Sequence, residues 1–432
     1  MRPYFPEKHF VPLPEILSTI HAHTNFLDEF HHAQQRYHRK IKDHKPLYAA
    51  IIGLGCAIGI PKMGRITSQI NERTLQNTVD WYFSADNVIE ANDRILALMD
   101  KMDLPNTYLG EDGKIHTASD GSKYFVLQDS LQAGQSFKYF GQEQGISINS
   151  FIDARGLLWY SIAFSASTRE SVYVIDALMH NNVVKSDIHS TDAHGYSESI
   201  FATAHMIGIS YAPRIKDLKR QPLYTFKHHD KKQREGWSIK PDKYVNDALI
   251  KEYWDDILRF IATIKLKEST ASDIFRRLNS YSKQHKLYQA LKAFGQIIKT
   301  DFILRYLDDV KLRQSIEKQL NWVELSNRFS RAVSIGNPRE FSQVEGDDQN
   351  IAAHCTRLIK NSIICWNYLY LSQKLDRMKD QSEKDKLINA LASHSVLCWE
   401  HINLLGEYDL SDEKLKDSVG ILPPKNIRNI AA

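Results

Sequence analysis

Three acidic residues are the side chains best placed to do chemistry: Asp120 in HTASDGSKY, Asp192 in SDIHSTDAHGYSES and Glu324 in IEKQLNWVELSNRFSRAV. Carboxylates from separate parts of a chain can converge to hold two divalent cations. Two such ions, about 3.5–4 Å apart, activate a water or hydroxyl and stabilise the leaving oxygen of an in-line phosphoryl displacement. Taken singly, each residue also has an ordinary reading. Asp-Gly is a common turn dipeptide. An Asp among Ser190, Thr191, His194 and Gly195, ahead of a helix, can be a simple cap. A glutamate inside a helix is most often solvated. Glu317, seven residues earlier and on nearly the same face, competes with Glu324.

The elements around these residues give them their meaning. Residues 1–110 have helical texture, with apolar spacing over Glu15–Phe30, Thr74–Phe83 and Asn87–Met102. Residues 111–212 change to short runs rich in β-branched and aromatic residues, alternating later with helices, in the order β-β-β-α-β-α-β. The helices there are expected over Arg169–His180 and Ser197–Ile207. That order predicts an α/β fold, rich in helix, with a mixed sheet covered by helices. Asp120 falls in or at the end of the first strand and Asp192 at the end of the fourth, where rigid backbone can aim both at one point. Residues 213–308 form a basic segment and a helical insertion, 309–335 a helix carrying Glu324, and 336–432 a terminal helical region. Within the last, Gly336–Gln349 reads as a polar loop, followed by helices over Ile351–Lys379 and Lys384–Leu405.

Composition narrows the class. The 432 residues are 42% hydrophobic and 25% charged, as in ordinary globular proteins, and the net charge of +4 is too small to establish a polyanionic partner by itself. The longest apolar run, Leu47–Ile60, is too short to span a bilayer and lies too far inside the chain for a signal peptide, so a cytoplasmic location without membrane contact is expected. It also lacks the glycine spacing of a nucleotide loop. Cys56, Cys355, Cys365 and Cys398 form no CxxC pair and read as buried free thiols. His21, His23, His31, His32, His38 and His44 lack the spacing of a zinc finger and read as surface or capping residues. Trp366, Tyr368 and Tyr370 read as a core-packing helix face. Between Arg214 and Arg234 eight Lys or Arg stand against two acids. Of these, Arg214, Lys216, Lys219, Arg220, Lys231 and Lys232 are candidates for phosphate contact, the alternative being a solvated loop.

A resemblance gathers these parts. IIGLGCAIGIPKM, TASDGSKY, SFIDARGLLWYS, DIHSTDAHGYSESIFATAHMIG, PRIK, LYQALKAFGQIIKT, IEKQLNWVELSNRFSRAV, IICWNYLYLS and HINLLGEYDLS occur in this order along nearly the whole chain. Together they resemble the carboxyl half of Tn-three-type (gamma–delta-type) replicative transposases, STDAHG and LNWVE being the most specific. The resemblance implies a ribonuclease-H-like fold with a helical insertion. It also implies a DDE triad of Asp120, Asp192 and Glu324 binding two Mg2+ ions, with Mn2+ as a substitute, and leaves Glu317 a minor contender. The implied reaction is cleavage at transposon 3′ ends and transfer of the freed 3′-hydroxyls to target DNA. The implied partners are transposon-end and target double-stranded DNA, bound by a dimer in the bacterial nucleoid. STDAHG carries Ala193 where the family pattern has Thr, which leaves the acid intact. Family members are longer, with amino-terminal domains that recognise inverted repeats. A chain starting at Met1 is therefore expected to be a catalytic half, or else a truncated DNA- or transposase-binding remnant able to inhibit the full-length protein.

Overall fold

The computed structural model describes residues 1–423 apart from 7–9, 38–42, 68–69, 111, 127–129, 131–132, 169, 182, 194–195, 228–234, 281–284, 338–339, 342–345 and 406–407. It is a helix-rich α/β protein that divides into two compact units. The first comprises residues 1–113, 121–168 and 322–432, and the second residues 114–120 and 169–321. The main sheet has seven strands: β1 (His116–Val126), β2 (Gly134–Gln135), β3 (Gln144–Asp153), β4 (Tyr160–Ser165), β5 (Ile188–Thr191), β6 (Ser210–Tyr211) and β7 (Glu340–Phe341). The long strand β1 contributes its first residues to the second unit and the rest to the first.

The first unit is built on the Gly346–Arg377 helix, buried along most of its length, with Trp366 and Tyr368 fully enclosed and Tyr370 at its margin. The helices Leu13–Thr24, Lys45–Gly55 and Ala85–Lys101 pack on it. Gly55 permits a close crossing, since a Cβ there would lie 2.8 Å from the carbonyl of Cys355. Ser84 starts the Ala85–Lys101 helix by accepting the Asn87 N–H at 3.1 Å, the side-chain cap its sequence allows. The sheet part of this unit pairs β2 and β4 antiparallel with β3, while the end of β1 pairs in parallel with β7. Tyr124, Ile146, Ile148 and Ala163 fill the space between these strands and Ala353 of the long helix. All four cysteines are buried free thiols.

Three sequence expectations need revision in this unit. The expected Glu15–Phe30 helix stops at Thr24, because Asn25 turns left-handed (φ 53°) before a 3-10 turn over Phe26–Glu29. The polar loop expected at Gly336–Gln349 contains β7, and the next helix begins at Gly346. The last helix runs over Gln381–Ser393 rather than to Leu405. Beyond it the chain is irregular because Asn367 draws its backbone in. The Asn367 amide donates to the carbonyls of Val396 (3.0 Å) and Cys398 (2.8 Å), and Ile402–Asn403 then pairs with Val11–Pro12.

In the second unit the first residues of β1, β5 and β6 form a parallel ladder. The helices Ser171–His180 and Glu198–Ile207 follow the expected pattern, although Arg169, His194 and Gly195 lie outside the described residues. The Lys286–Asp308 helix packs on Glu198–Ile207 through Gly295, where a Cβ would sit 1.7 Å from the Glu198 carbonyl oxygen. That contact explains a glycine in the middle of LYQALKAFGQIIKT.

Candidate metal-binding active site

The two aspartates stand at matching positions of paired strands. His116 pairs with Ile188, Thr117 with His189, Ala118 with Ser190 and Ser119 with Thr191. Carried one residue further, this register sets Asp120, inside β1, beside Asp192, the first residue after β5. Parallel neighbours of this kind are roughly 4.8 Å apart. The sequence interval of 72 between the two acids is the interval of every pair in the ladder, for example 188 − 116 = 72. The stretches HTASD and IHSTD therefore run side by side, each ending in an acid, and both aspartates are half-buried.

A polar seam fixes that register. Fully buried His189 meets the Thr117 hydroxyl through Nδ1 (2.8 Å) and the Ser119 hydroxyl through Nε2 (3.1 Å). His116 Nε2 meets the Ser190 hydroxyl at 2.7 Å, and Ser190 donates to the Ala212 carbonyl at 2.7 Å. Thr191 and Tyr211 share a 2.7 Å hydroxyl contact. Burial pushes the His116 imidazole down to about 4 and that of His189 to about 3, so both rings are neutral near pH 7. A one-residue slip would turn every side chain of a strand to the opposite face. The seam opposes such a slip directly beneath the acids. Sequence reading missed it, although the run of small hydroxyl residues before each Asp was a visible signal.

The β5–β6 ladder continues past the strands. Ala212 N–H donates to the His189 carbonyl (2.8 Å) and Arg214 N–H to the Thr191 carbonyl (3.0 Å). Arg214 is thereby carried to Asp192, where Nη2 and Nε donate to Oδ1 at 2.7 and 3.1 Å. Its Nη1 donates to Glu317 Oε1 at 3.4 Å. The structure thus places Asp192, Arg214 and Glu317 together. Lys216, Lys219 and Arg220 follow on an exposed segment that turns at left-handed Asp217 (φ 50°). Lys231 and Lys232 lie outside the described residues.

Glu324 lies on the Val310–Val333 helix, seven residues after Glu317, and is exposed while its neighbours Trp322 and Val323 are buried. The helix segment beneath it is anchored in the first unit. Buried Lys360 donates to the Ser326 carbonyl (3.0 Å) and to the hydroxyls of Ser326 (2.9 Å) and Ser330 (2.7 Å). Phe329 stacks on Trp399 at 4.7 Å, and Tyr108 meets Trp322 edge-on at 5.3 Å. Burial, with Arg357 adding, pushes the Lys360 ammonium down to about 7.

The chemistry of the donor set fits a hard divalent cation. Carboxylate oxygens are what Mg2+ and Mn2+ prefer. Asp192 already holds a positive group, and the two nearby histidines are committed to hydroxyl partners. A different cluster, His21, Asp28 and His44, has its ligand atoms within 4.8 Å of one another. Here His21 Nδ1 accepts the Leu27 N–H at 3.3 Å. That contact engages one of the two ring nitrogens of His21. His32 Nδ1 likewise accepts the Gln34 N–H at 3.0 Å, a capping contact, and His38 lies outside the described residues.

Comparison with known proteins gives this geometry its family. The family described as the Tn3 transposase DDE domain matches residues 15–408. The chain belongs to the Tn3 transposase family. It is 30% identical over 416 residues to the transposase for transposon Tn1546 of Enterococcus faecium, covering 96% of this chain and 41% of that protein. It is 31% identical over 400 residues to the transposase for transposon Tn2501 of Escherichia coli, covering 92% and 39%. With the transposase for transposon gamma-delta of Escherichia coli (strain K12) it shares 27% over 401 residues, again 92% and 39%. The chain therefore spans about two fifths of the length of these relatives. Among the described residues no helix is long and apolar enough to cross a membrane.

Proposed function

We propose that this chain is the catalytic region of a replicative DNA transposase, with Asp120, Asp192 and Glu324 holding two Mg2+ ions, for which Mn2+ can substitute. The register that sets Asp120 beside Asp192 carries this reading. When bound, the ions would supply an activated water or 3′-hydroxyl and charge for the leaving oxygen. The chain's own part is to aim the acids. The seam holds the two aspartates at one strand level, and the Lys360 contacts hold the helix segment of Glu324. Glu324 is assigned by the LNWVE motif, and Glu317 is its competitor through Arg214. A ribonuclease-H-like arrangement is supported by the mixed sheet with acids on two adjacent parallel strands. Double-stranded DNA would lie along Lys216, Lys219 and Arg220, with Lys231 and Lys232 continuing the basic run, and a dimer would pair two transposon ends.

The test is Mn2+-dependent nicking of supercoiled plasmid by the full chain, an assay that needs no end recognition. Asp120→Asn, Asp192→Asn and Glu324→Gln should each lower the rate by about a thousandfold, the upper range for removing one group that stabilises transition-state charge. Glu317→Gln should lower it by only a few-fold. Loss in Glu317→Gln with retention in Glu324→Gln would reassign the third acid. A chain that binds DNA but never nicks it would instead be a non-catalytic DNA- or transposase-binding protein.

A further inference from the structure

We infer that Arg214 holds the Asp192 carboxylate in place of a metal ion until DNA arrives, and that it then moves to a backbone phosphate. The inference rests on the metal-site reading above. Arg214 directs two nitrogens, at 2.7 and 3.1 Å, to Oδ1 of Asp192, and a third to Glu317 at 3.4 Å. An arginine does not lose its proton, so this positive charge can leave a carboxylate only by moving. A metal ion at Asp192 and the guanidinium beside it would repel each other and compete for the same carboxylate. Two features make the movement feasible. The side chains of Arg214 and Asp192 are 37% and 36% exposed, so the pair is not locked in the interior. The Arg214 backbone is fixed to Thr191 at 3.0 Å, so only the side chain need swing.

The place it can go is defined by chemistry. The guanidinium fork that grips a carboxylate grips a phosphate equally well. Exposed Lys216, Lys219 and Arg220 follow within six residues and would gather the same backbone. DNA would then draw Arg214 away and free Asp192, so DNA and metal would each raise the other's affinity, as linkage requires. A purely structural pair at this exposure would hold little of the fold together. An arginine that contacted DNA alone would have no reason to sit on Asp192.

The test is Mn2+ titration of the full chain, read by electron paramagnetic resonance of free Mn2+, with and without a DNA duplex. Without DNA, Arg214→Gln should bind Mn2+ roughly tenfold more tightly than the wild type, a coupling of ordinary size. Duplex should tighten Mn2+ binding in the wild type and much less in Arg214→Gln. Thermal melts of both proteins should coincide. Unchanged or weaker Mn2+ binding by Arg214→Gln, while Asp192→Asn abolishes it, overturns the role of Arg214 and leaves the metal site standing. Equal Mn2+ binding by Asp192→Asn and the wild type overturns the metal site and the inference with it.

Discussion

The seam between β1 and β5 and the Gly346–Arg377 helix both bury polar side chains, and they use them in opposite ways. In the seam the hydrogen bonds run between adjacent strands: His189 to Thr117 and Ser119, His116 to Ser190. They add little reach but fix a one-residue register. In the helix several polar groups reach distant segments. Asn361 pairs with Leu158 and Asn92, Asn367 holds the carbonyls of Val396 and Cys398, Arg357 donates to the Trp159 carbonyl at 2.6 Å, and Lys360 holds Ser326. The seam therefore aims side chains, whereas the helix gathers chain. Damage to the first should show mainly in catalysis, and damage to the second mainly in stability, except at Lys360, which holds the segment of Glu324.

The largest expected effect on stability comes from the helix. Fully buried Asn361 donates to the Leu158 carbonyl at 3.0 Å and to Asn92 Oδ1 at 2.9 Å, and accepts the Leu158 N–H at 3.2 Å. Asn361→Leu would strand these partners in the interior. At roughly 1–3 kcal/mol for each unsatisfied buried group, a loss of about 4 kcal/mol is expected by denaturant titration. Nicking per folded molecule should stay within about twofold, since Asn361 touches neither aspartate. A large drop in nicking at full folding would erase the contrast between the two regions.

The seam should give the reverse pattern. His189→Phe keeps an aromatic ring of similar size beside Tyr211 but removes both contacts to β1. It leaves two hydroxyls to re-pair, as Thr117 can with Ser186 at 2.6 Å, so a cost of about 1–2 kcal/mol is expected. Nicking should fall by about tenfold or more, because loosened acids lose their common aim. The double variant Ser119→Ala with His189→Phe removes the hydroxyl that only His189 Nε2 is seen to meet, at 3.1 Å, and should recover stability without recovering activity. Recovery of both would show that the seam is only core packing.

The parts of this structure that were legible in the sequence are those encoded locally. The apolar spacing of the long helices and the placing of Asp120 in a strand and Asp192 at a strand end lie within a few residues of what they specify. Glu324 is singled out by the resemblance rather than by spacing, which leaves Glu317 on nearly the same face; Trp322 and Val323 are buried and Glu324 is exposed. What stayed hidden depends on pairing. β2 and β7 have two residues each and no periodicity to read. The chain after Ser393 has helical composition but is held by Asn367, nearly thirty residues before it. Arg214 looked like one cation in a basic run, and only the β5–β6 ladder brings it to Asp192.

The smallest expected effect concerns pH, and it tests the seam at one position. Burial holds His116 down to about 4, against an ordinary value near 6.5. The folded state therefore favours the neutral ring. The stability this contributes is fully present above pH 6.5 and is lost as the pH falls toward 4, because the unfolded chain takes up a proton that the folded chain refuses. Between pH 6.5 and 5 one such histidine gives up about 1–2 kcal/mol. His189 acts in the same direction, and so do buried His354 and His401 in the first unit, so the whole chain should soften in mild acid. His116→Asn can keep a contact to Ser190 while removing one titration. Its stability should match the wild type at pH 8 to within about 1 kcal/mol and decline less steeply between pH 6.5 and 5, as read from denaturant midpoints. Parallel curves would mean that His116 titrates normally in the folded protein, and the neutral hydrogen-bonded ring assigned to the seam would then be wrong at that position.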